Sequence, residues 1–280
     1  MTLALVIVSV FCGILSGILG IGGAVILIPM MRVVPPLMGA GELSMGEIAG
    51  ITMLQVLAAS IAGWLSHKKS GHAHTPTVLT LGIPMAAGAF AGAYWRLPDE
   101  PRRIVFGILV LIALAMLVGK SKHEKRAADS DAWEDDEYSP SIPLSALLGG
   151  LVGVASGIVG AGGGFMIIPL MIKVLKAPIR VAVGSSLGIV LIGSAMGAAG
   201  KALSAQIEWK YAIPIVAASI PASILGAKIS RKIKPTYLRR LLLVIVSMTF
   251  IHTWMEVLQH WKKPSPQETS PAESETPPAR

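Results

Sequence analysis

Apolar residues form eight long runs along the chain, separated by short polar segments. The runs cover residues 3–31, 48–65, 78–95, 104–119, 142–172, 181–200, 211–227 and 241–258. Six of them are close to the length of about 20 residues with which one helix crosses a bilayer. The first and fifth runs are too long for one simple crossing. The pattern therefore predicts an all-α, polytopic membrane protein.

The first and fifth runs repeat one phrase. Residues 16–31 read SGILGIGGAVILIPMM and residues 156–171 read SGIVGAGGGFMIIPLM, with nine of sixteen positions identical at an offset of 140. Each phrase places a glycine cluster inside an apolar run and closes the run with a proline. A duplicated, glycine-broken hydrophobic segment is the pattern that indicates a transporter's binding site. We therefore predict that both runs are broken helices.

Shorter matches duplicate the other runs. Gly92-Ala93 matches Gly226-Ala227, and Arg102-Arg103 matches Arg239-Arg240. The chain is thus predicted to be one four-segment unit used twice, with a membrane repeat at residues 1–119 and another at 142–260. A charged linker at residues 120–141 joins the repeats. The tail at residues 261–280 is rich in Pro, Ser, Thr and Glu and is predicted to be disordered.

The distribution of Lys and Arg favours an inverted arrangement of the two repeats. Eight simple crossings would place 11 of these residues on one side of the membrane and 13 on the other. If the two broken runs are hairpins that return to the side they entered, the second repeat is inverted and the counts become 15 and 9. Because the cytoplasmic side carries the excess of positive charge, we predict the hairpin arrangement, with a cytoplasmic linker and both termini outside.

Composition supports a membrane protein and excludes several other classes. The chain is 53% hydrophobic and 14% charged, whereas soluble domains carry about 25% charged residues. The net charge of +8 does not indicate nucleic-acid binding, because the cations lie at segment ends and form no continuous basic face. The lipid bilayer is the expected partner. Cys12 is the single cysteine, which excludes internal disulfides and iron–sulfur clusters.

The glycine breaks offer a chemistry for binding anions. Glycines let the chain leave helical geometry without a Cβ penalty, and a helix that restarts after them presents unpaired N–H groups and a positive dipole end. Such helix starts bind anions. Hydroxyl groups nearby would add donors. The predicted substrate-binding residues are Ser16, Gly20, Gly22, Gly23, Ala24, Thr52, Ser156, Gly160, Gly162, Gly163, Gly164, Ser185 and Ser186.

Other small and polar residues have simpler interpretations. Single serines and threonines in membrane helices usually bond their own backbone. His67, His72 and His74 crowd one loop, and a polar interfacial loop is favoured over a metal site there. Glycines spaced by four residues usually permit close helix packing, as we predict for the pairs Gly13 and Gly17, Gly88 and Gly92, Gly153 and Gly157, and Gly193 and Gly197.

The apolar runs contain few ionisable residues at depth. His252 is the one titratable residue placed at depth, and no Asp, Glu, Lys or Arg falls in the middle of a run. We therefore expect an anion to be held by N–H groups and hydroxyls, without buried cations. No cluster of a nucleophile with a base or of metal ligands lies at depth, so we predict no enzyme activity, catalytic residue, metal or cofactor.

The repeated phrase resembles that of the TauE/SafE sulfite exporter family. The resemblance extends from about Leu3 to Leu258, although Ala24 replaces the last glycine of the first copy and Met53 stands where a serine is common. It implies a multi-pass carrier in the inner (cytoplasmic) membrane that moves a small anion such as sulfite or a sulfonate, often outward. A channel or carrier for another solute and a scaffold without transport are the alternatives. No oligomeric state is predicted.

Overall fold

The computed structural model describes residues 2–19, 23–39, 41–67, 74–118, 141–177, 179–230 and 235–262. This part of the chain is all-helical, as predicted. The predicted linker and tail lie almost wholly outside the described residues. The helices are α1 (Thr2–Leu19), α2 (Ala24–Leu37), α3 (Met45–His67), α4 (Thr75–Tyr94), α5 (Asp99–Val118), α6 (Ile142–Val159), α7 (Gly164–Lys173), α8 (Ile179–Leu203), α9 (Trp209–Ser230) and α10 (Pro235–Lys262).

Seven of the described helices are long and apolar enough to cross a membrane, which confirms a polytopic membrane protein. These are α3, α4, α5, α6, α8, α9 and α10, whereas α1, α2 and α7 contribute shorter apolar stretches. Large apolar side chains such as Ile83, Leu147 and Met248 point outward and are exposed on the protein surface. An apolar exterior of this extent is expected of a protein surrounded by lipid.

Both long runs are broken helices, as predicted. The first run divides into α1 and α2 between Leu19 and Ala24, and the fifth divides into α6 and α7 between Val159 and Gly164. At the first break the chain turns back on itself, because a Cβ built on Gly23 would lie 2.6 Å from the Cβ of Ser16. Gly160 therefore ends α6, and Gly23 and Gly163 precede the helices that follow the two breaks.

The two helices of the first broken run pack along different helices of the second half. α1 runs parallel to α9, since Ser9 Oγ donates to the carbonyl oxygen of Ile215 (2.6 Å) and Gly17, two turns later, packs on the backbone of Ser223. α2 instead runs parallel to α10. Thr249 Oγ1 donates to Val25 O (3.0 Å), and seven residues later in both helices Arg32 Nε donates to Glu256 Oε1 (3.1 Å).

The two halves interlock through small residues. α1 packs on α9 of the second half, and α6 packs on α4 of the first. Glycines provide the close approach: a Cβ added at any of them would strike backbone or Cβ atoms of the facing helix. This confirms the predicted packing role for Gly13, Gly17, Gly88, Gly92, Gly153 and Gly157, whereas Gly193 and Gly197 pack against the side chains of Met85 and Met53.

The centre of the fold is the contact between α3 and α8, which correspond in the two repeats. These helices run antiparallel, because Gly63 contacts Leu187 while Gly197 contacts Met53. Between these contacts the hydroxyls of Ser60 and Ser194 lie 3.4 Å apart. If the two repeats are inverted relative to each other, corresponding helices such as α3 and α8 must run in opposite directions. The placement of each half in a bilayer stays a prediction.

Candidate functional site

The two breaks have nearly the same backbone geometry where the second helix begins. Gly23 precedes α2 with φ 71° and ψ −4°, and Gly163 precedes α7 with φ 68° and ψ −3°. Both conformations are left-handed, which glycine adopts at little cost. The duplicated sequence phrase therefore corresponds to a duplicated structure at the two helix starts.

Each helix start leaves backbone N–H groups ahead of its first internal hydrogen bond. In α2 the bonds begin with the N–H groups of Ile26 and Leu27, which donate to Gly23 O at 3.1 and 3.0 Å. In α7 they begin with Met166 and Ile167, which donate to Gly163 O at 3.0 and 3.1 Å. The two preceding N–H groups of each helix, together with the positive end of its dipole, face the break.

Both helix starts lie inside the protein. All described residues from Gly23 to Ile28 and all residues from Ser156 to Ile167 are buried. Non-helical backbone at membrane depth is tolerated where it is buried in protein or lines a cavity. The surroundings of the breaks meet that condition.

A buried serine lies beside each left-handed glycine. Built Cβ atoms on Gly23 and Gly163 would lie 2.9 Å from Ser16 Oγ and 3.3 Å from Ser156 Oγ. Ser156 Oγ donates to the carbonyl oxygen of Gly153 (3.0 Å). Ser16 Oγ is buried and has no hydrogen-bond partner in the described part of the chain. The two predicted serines thus occupy equivalent places, and the hydroxyl of Ser16 is available to donate a hydrogen bond.

The second break packs directly against α3 of the first half. Gly160, with φ 81°, leaves no room for a Cβ beside the backbone of Ala49, and Gly162, with φ 62°, leaves none beside Val56. Thr52 lies between these two contacts. Its hydroxyl is within 3.0 Å of Gly160 O and within 2.7 Å of Ile48 O in its own helix. The structure thus brings Thr52 to the turn.

The remaining predicted site residues are less fully defined. Ser185 is buried in α8, and its Oγ accepts a hydrogen bond from the backbone N–H of His74 (3.1 Å). Ser186 is also buried. Gly20 and Gly22 lie outside the described residues. Whether the two glycine turns approach each other therefore stays a prediction.

Gln55 is a buried polar residue that sequence reasoning missed. It lies in α3, three residues after Thr52 and next to Val56, which contacts the second break. Its side chain is fully buried, and neither its Oε1 nor its Nε2 has a hydrogen-bond partner among the described residues. Residues three apart share one face of a helix, and this spacing from Thr52 was the available signal.

The expectation that no cation is buried is wrong. Lys201, in the last turn of α8, is fully buried, and Arg102 of α5 is 3% exposed. In the sequence, both residues stand at the ends of apolar runs, where solvated cations are common. Packing of helix ends from different parts of the chain covers them instead.

His252 lines a pocket with both apolar and charged walls, away from the glycine breaks. The pocket lies between α2, α3, α5 and α10, and its wall also includes Arg103 and the ion pair of Arg32 with Glu256. The described residues contain no group of three or more His, Cys, Asp or Glu side chains placed to hold a metal ion. The histidine thus belongs to a different region from the duplicated breaks.

The chain matches a known family model along most of its length. The family model described as "Sulfite exporter TauE/SafE" matches residues 5–253. The chain belongs to this family. It is a membrane transporter of the TauE/SafE type.

Similar proteins from other organisms carry the general name of probable membrane transporter. A "Probable membrane transporter protein YunE" from Bacillus subtilis is 23% identical over 89% of this chain and 96% of its own length. A "Probable membrane transporter protein" from Methanocaldococcus jannaschii is 29% identical over 87% of this chain and 92% of its own length. A third protein of that name, from Xylella fastidiosa, is 26% identical over 79% of this chain and 81% of its own length. No solved structure matches significantly.

Proposed function

We propose that this protein carries a small sulfur-containing anion, such as sulfite or a sulfonate, outward across the cytoplasmic membrane. The observation that carries the proposal is the duplicated helix start: two left-handed glycines, Gly23 and Gly163, each begin a buried helix beside a buried serine. The family to which the chain belongs supports the substrate class and the direction.

In this proposal the anion is held mainly by backbone dipoles. The N–H groups of Ala24 and Gly164 open the two helices and would donate to anion oxygens, while glycine caps without side chains allow close approach. Ser16 would add a hydroxyl donor. Oriented N–H groups stabilise an anion without forming a strong ion pair, which suits a substrate that must also be released.

The predicted hydroxyls divide into two kinds. Ser16 is free to donate, whereas Thr52 and Ser156 contact backbone carbonyl oxygens in the structure. For the second kind, binding requires the hydroxyl to exchange its carbonyl partner for an anion oxygen. We therefore assign Ser16 a direct role and assign Thr52 the additional task of holding the turn at Gly160.

The test is transport by purified protein in liposomes. Vesicles loaded with radiolabelled sulfite should lose the label faster than protein-free vesicles, and the rate should saturate with concentration. Unlabelled methanesulfonate should compete, whereas chloride at equal ionic strength should compete weakly. A rate that does not saturate would favour a channel. Transport of only cations or neutral solutes, or no transport at all, would overturn the proposal, and the last result would favour a scaffold.

A further inference from the structure

Lys201 and Arg102 form a buried cationic cluster at one end of the helical core. Lys201 reaches it from the last turn of α8, and Arg102 from the first turn of α5. The side chain of Gln206, from the segment between α8 and α9, joins them. The cluster uses none of the residues assigned above to the glycine breaks.

Both cations converge on the same neutral oxygen. Arg102 Nη2 donates to Gln206 Oε1 at 2.7 Å, and Lys201 Nζ donates to that oxygen at 2.9 Å. The Gln206 amide is held in this orientation from its other side, because its Nε2 donates to Ala93 O (2.9 Å) and to Ser204 Oγ (2.7 Å). The two positive groups are thus fixed as neighbours, although like charges repel.

The two cations of the cluster share a neutral partner, the amide oxygen of Gln206. Asp99 and Glu100 lie with Arg102 in the first turn of α5, and Asp99 Oδ2 accepts from the backbone N–H of Met45 (3.1 Å). Among the described residues, neither Arg102 nor Lys201 has a carboxylate oxygen within ion-pair distance. A buried charge without a partner is costly, so the cluster is suited to an anion.

Donors remain available for such an anion. Arg102 Nε is buried and has no hydrogen-bond partner in the described part of the chain. Lys201 Nζ has three hydrogens and gives one to Gln206 and one to the carbonyl oxygen of Ile158 (3.2 Å). A guanidinium and an ammonium group that share one oxygen can also bind two oxygens of one tetrahedral or pyramidal oxyanion.

The surrounding backbone favours the same ligand. Gly46 lies in the first turn of α3, and a Cβ built there would lie 2.5 Å from Arg102 Nη1. This helix start therefore directs its positive dipole end toward the cluster. Lys201 Nζ donates to the carbonyl oxygen of Ile158, and Ile158 lies two residues before the turn at Gly160. The cluster is thus adjacent to the second glycine break.

We propose that Arg102 and Lys201, positioned by Gln206, form a second anion site that binds an oxyanion of the sulfite or sulfonate class next to the second break. The proposal rests on the proposed function only for the identity of the anion. During transport, this site would hold the substrate immediately before or after it occupies the N–H groups of α7. The cationic site attracts the anion. The start of α7 beside it has no charged side chain, so it binds the anion less strongly and permits onward movement.

The test measures anion-dependent thermal stability of the purified full chain. A ligand that binds the folded state raises the midpoint of unfolding in proportion to its concentration relative to its Kd. We expect sulfite, at constant ionic strength set with chloride, to raise this midpoint for the wild type. Lys201→Met and Arg102→Gln should weaken the apparent affinity about tenfold or more. Arg96→Gln removes an exposed cation six residues before Arg102 in the sequence and should behave as wild type.

Two further variants keep the result interpretable if charge removal prevents folding. Gly46→Ala retains both cations but displaces the Arg102 guanidinium and should also weaken sulfite binding. Lys201→Arg retains the charge and should preserve part of the affinity. Variants that unfold at lower temperature but keep the wild-type dependence on sulfite would show a purely structural cluster and would overturn the proposal.

Measuring transport in liposomes distinguishes a failure of the second anion site from a failure of the proposed transport function. If liposomes show sulfite transport and the variants keep the wild-type dependence on sulfite concentration, the second site is wrong and transport stands. If no anion is transported but sulfite still stabilises the wild type through Lys201, the site stands and transport is wrong.

Discussion

The Thr52 hydroxyl lies 3.0 Å from the carbonyl oxygen of Gly160 and so joins α3 of the first half to the glycine break of the second. Gly160 is in the left-handed region, with φ 81°, and its Cα leaves no room for a side chain against Ala49. The break is therefore held by a close backbone contact and by one side-chain hydrogen bond from the opposite repeat.

Replacing Thr52 by valine should loosen this junction. The hydroxyl is lost while the shape is kept, so Gly160 O loses a partner in a buried position. We expect a loss of about 1–3 kcal/mol in the free energy of unfolding and slower sulfite transport per molecule. Thermal unfolding and liposome flux measure the two effects. Thr52→Ser keeps the hydroxyl and should retain most of both. Equal loss in Thr52→Ser and Thr52→Val would contradict a role for the hydrogen bond.

The break itself could be predicted from the sequence because local chemistry determines it. Two glycine clusters followed by a proline predicted both interruptions, and the restart at Ala24 is where α2 begins. The glycine pairs at a spacing of four also predicted close packing, since any helix that presents Gly13 and Gly17 has room for a neighbour.

Burial of Lys201 could not be predicted in the same way. A lysine just after an apolar run has the sequence pattern of a solvated cation at the membrane surface. Its burial depends on contacts with Ile158 and Gln206, which lie in different segments. Neither hydrophobic period nor charge count indicates which helix ends meet. The interlocking of the two halves, with α6 packed on α4, was equally inaccessible to a local pattern.

Gln55 leads to a prediction in which stability and activity change in opposite directions. Its amide is fully buried with no partner in the described residues. Replacing an unsatisfied buried polar group by an apolar one of similar shape is neutral or stabilising. Gln55→Met should therefore keep or raise the unfolding midpoint.

If the amide of Gln55 contacts the transported anion, the same variant should lower flux per molecule. Ser60→Ala is the control, because the Ser60 hydroxyl already donates to Leu57 O (2.9 Å) within its own helix. We expect near-normal flux from this control. Unchanged flux in Gln55→Met would show that Gln55 does not contact the substrate.

The predicted hairpin arrangement of the fifth run, α6 followed by α7, determines on which side of the membrane the two flanking positions lie. Ser141 precedes α6 and Val174 follows α7, and both are exposed. A hairpin returns the chain to the side it entered, whereas a single crossing does not. In a Cys12→Ala background, Ser141→Cys and Val174→Cys should both react with an impermeant reagent from the cytoplasmic side.

Glu208→Cys, in the segment between α8 and α9, provides the comparison in the labelling experiment. Residue 208 should react only from the outside, because α8 crosses between Val174 and Glu208. Labelling of positions 141 and 174 from opposite sides of the membrane would rule out the hairpin and, with it, the inverted repeat.

Gly163 distinguishes a binding role of the break from a packing role. Its φ of 68° is strained for any residue with a side chain, and a built Cβ would lie 2.6 Å from Met85 Cε. Gly163→Val should therefore alter the start of α7, where the N–H groups of Gly164 and Phe165 face the break. We expect loss of sulfite transport. Membrane insertion should persist, because valine raises the hydropathy of the segment.

The matched control for Gly163→Val is Gly150→Val in the preceding helix. A Cβ at Gly150 would meet only Pro84 O, at 4.0 Å, and its φ is not in the left-handed region. This control should insert, fold and transport normally. Flux is normalised to purified, monodisperse protein so that lower yield does not count as lost activity. A packing role predicts reduced yield with normal flux per folded molecule. Wild-type flux per molecule in Gly163→Val would therefore show that the anion does not bind at the glycine break.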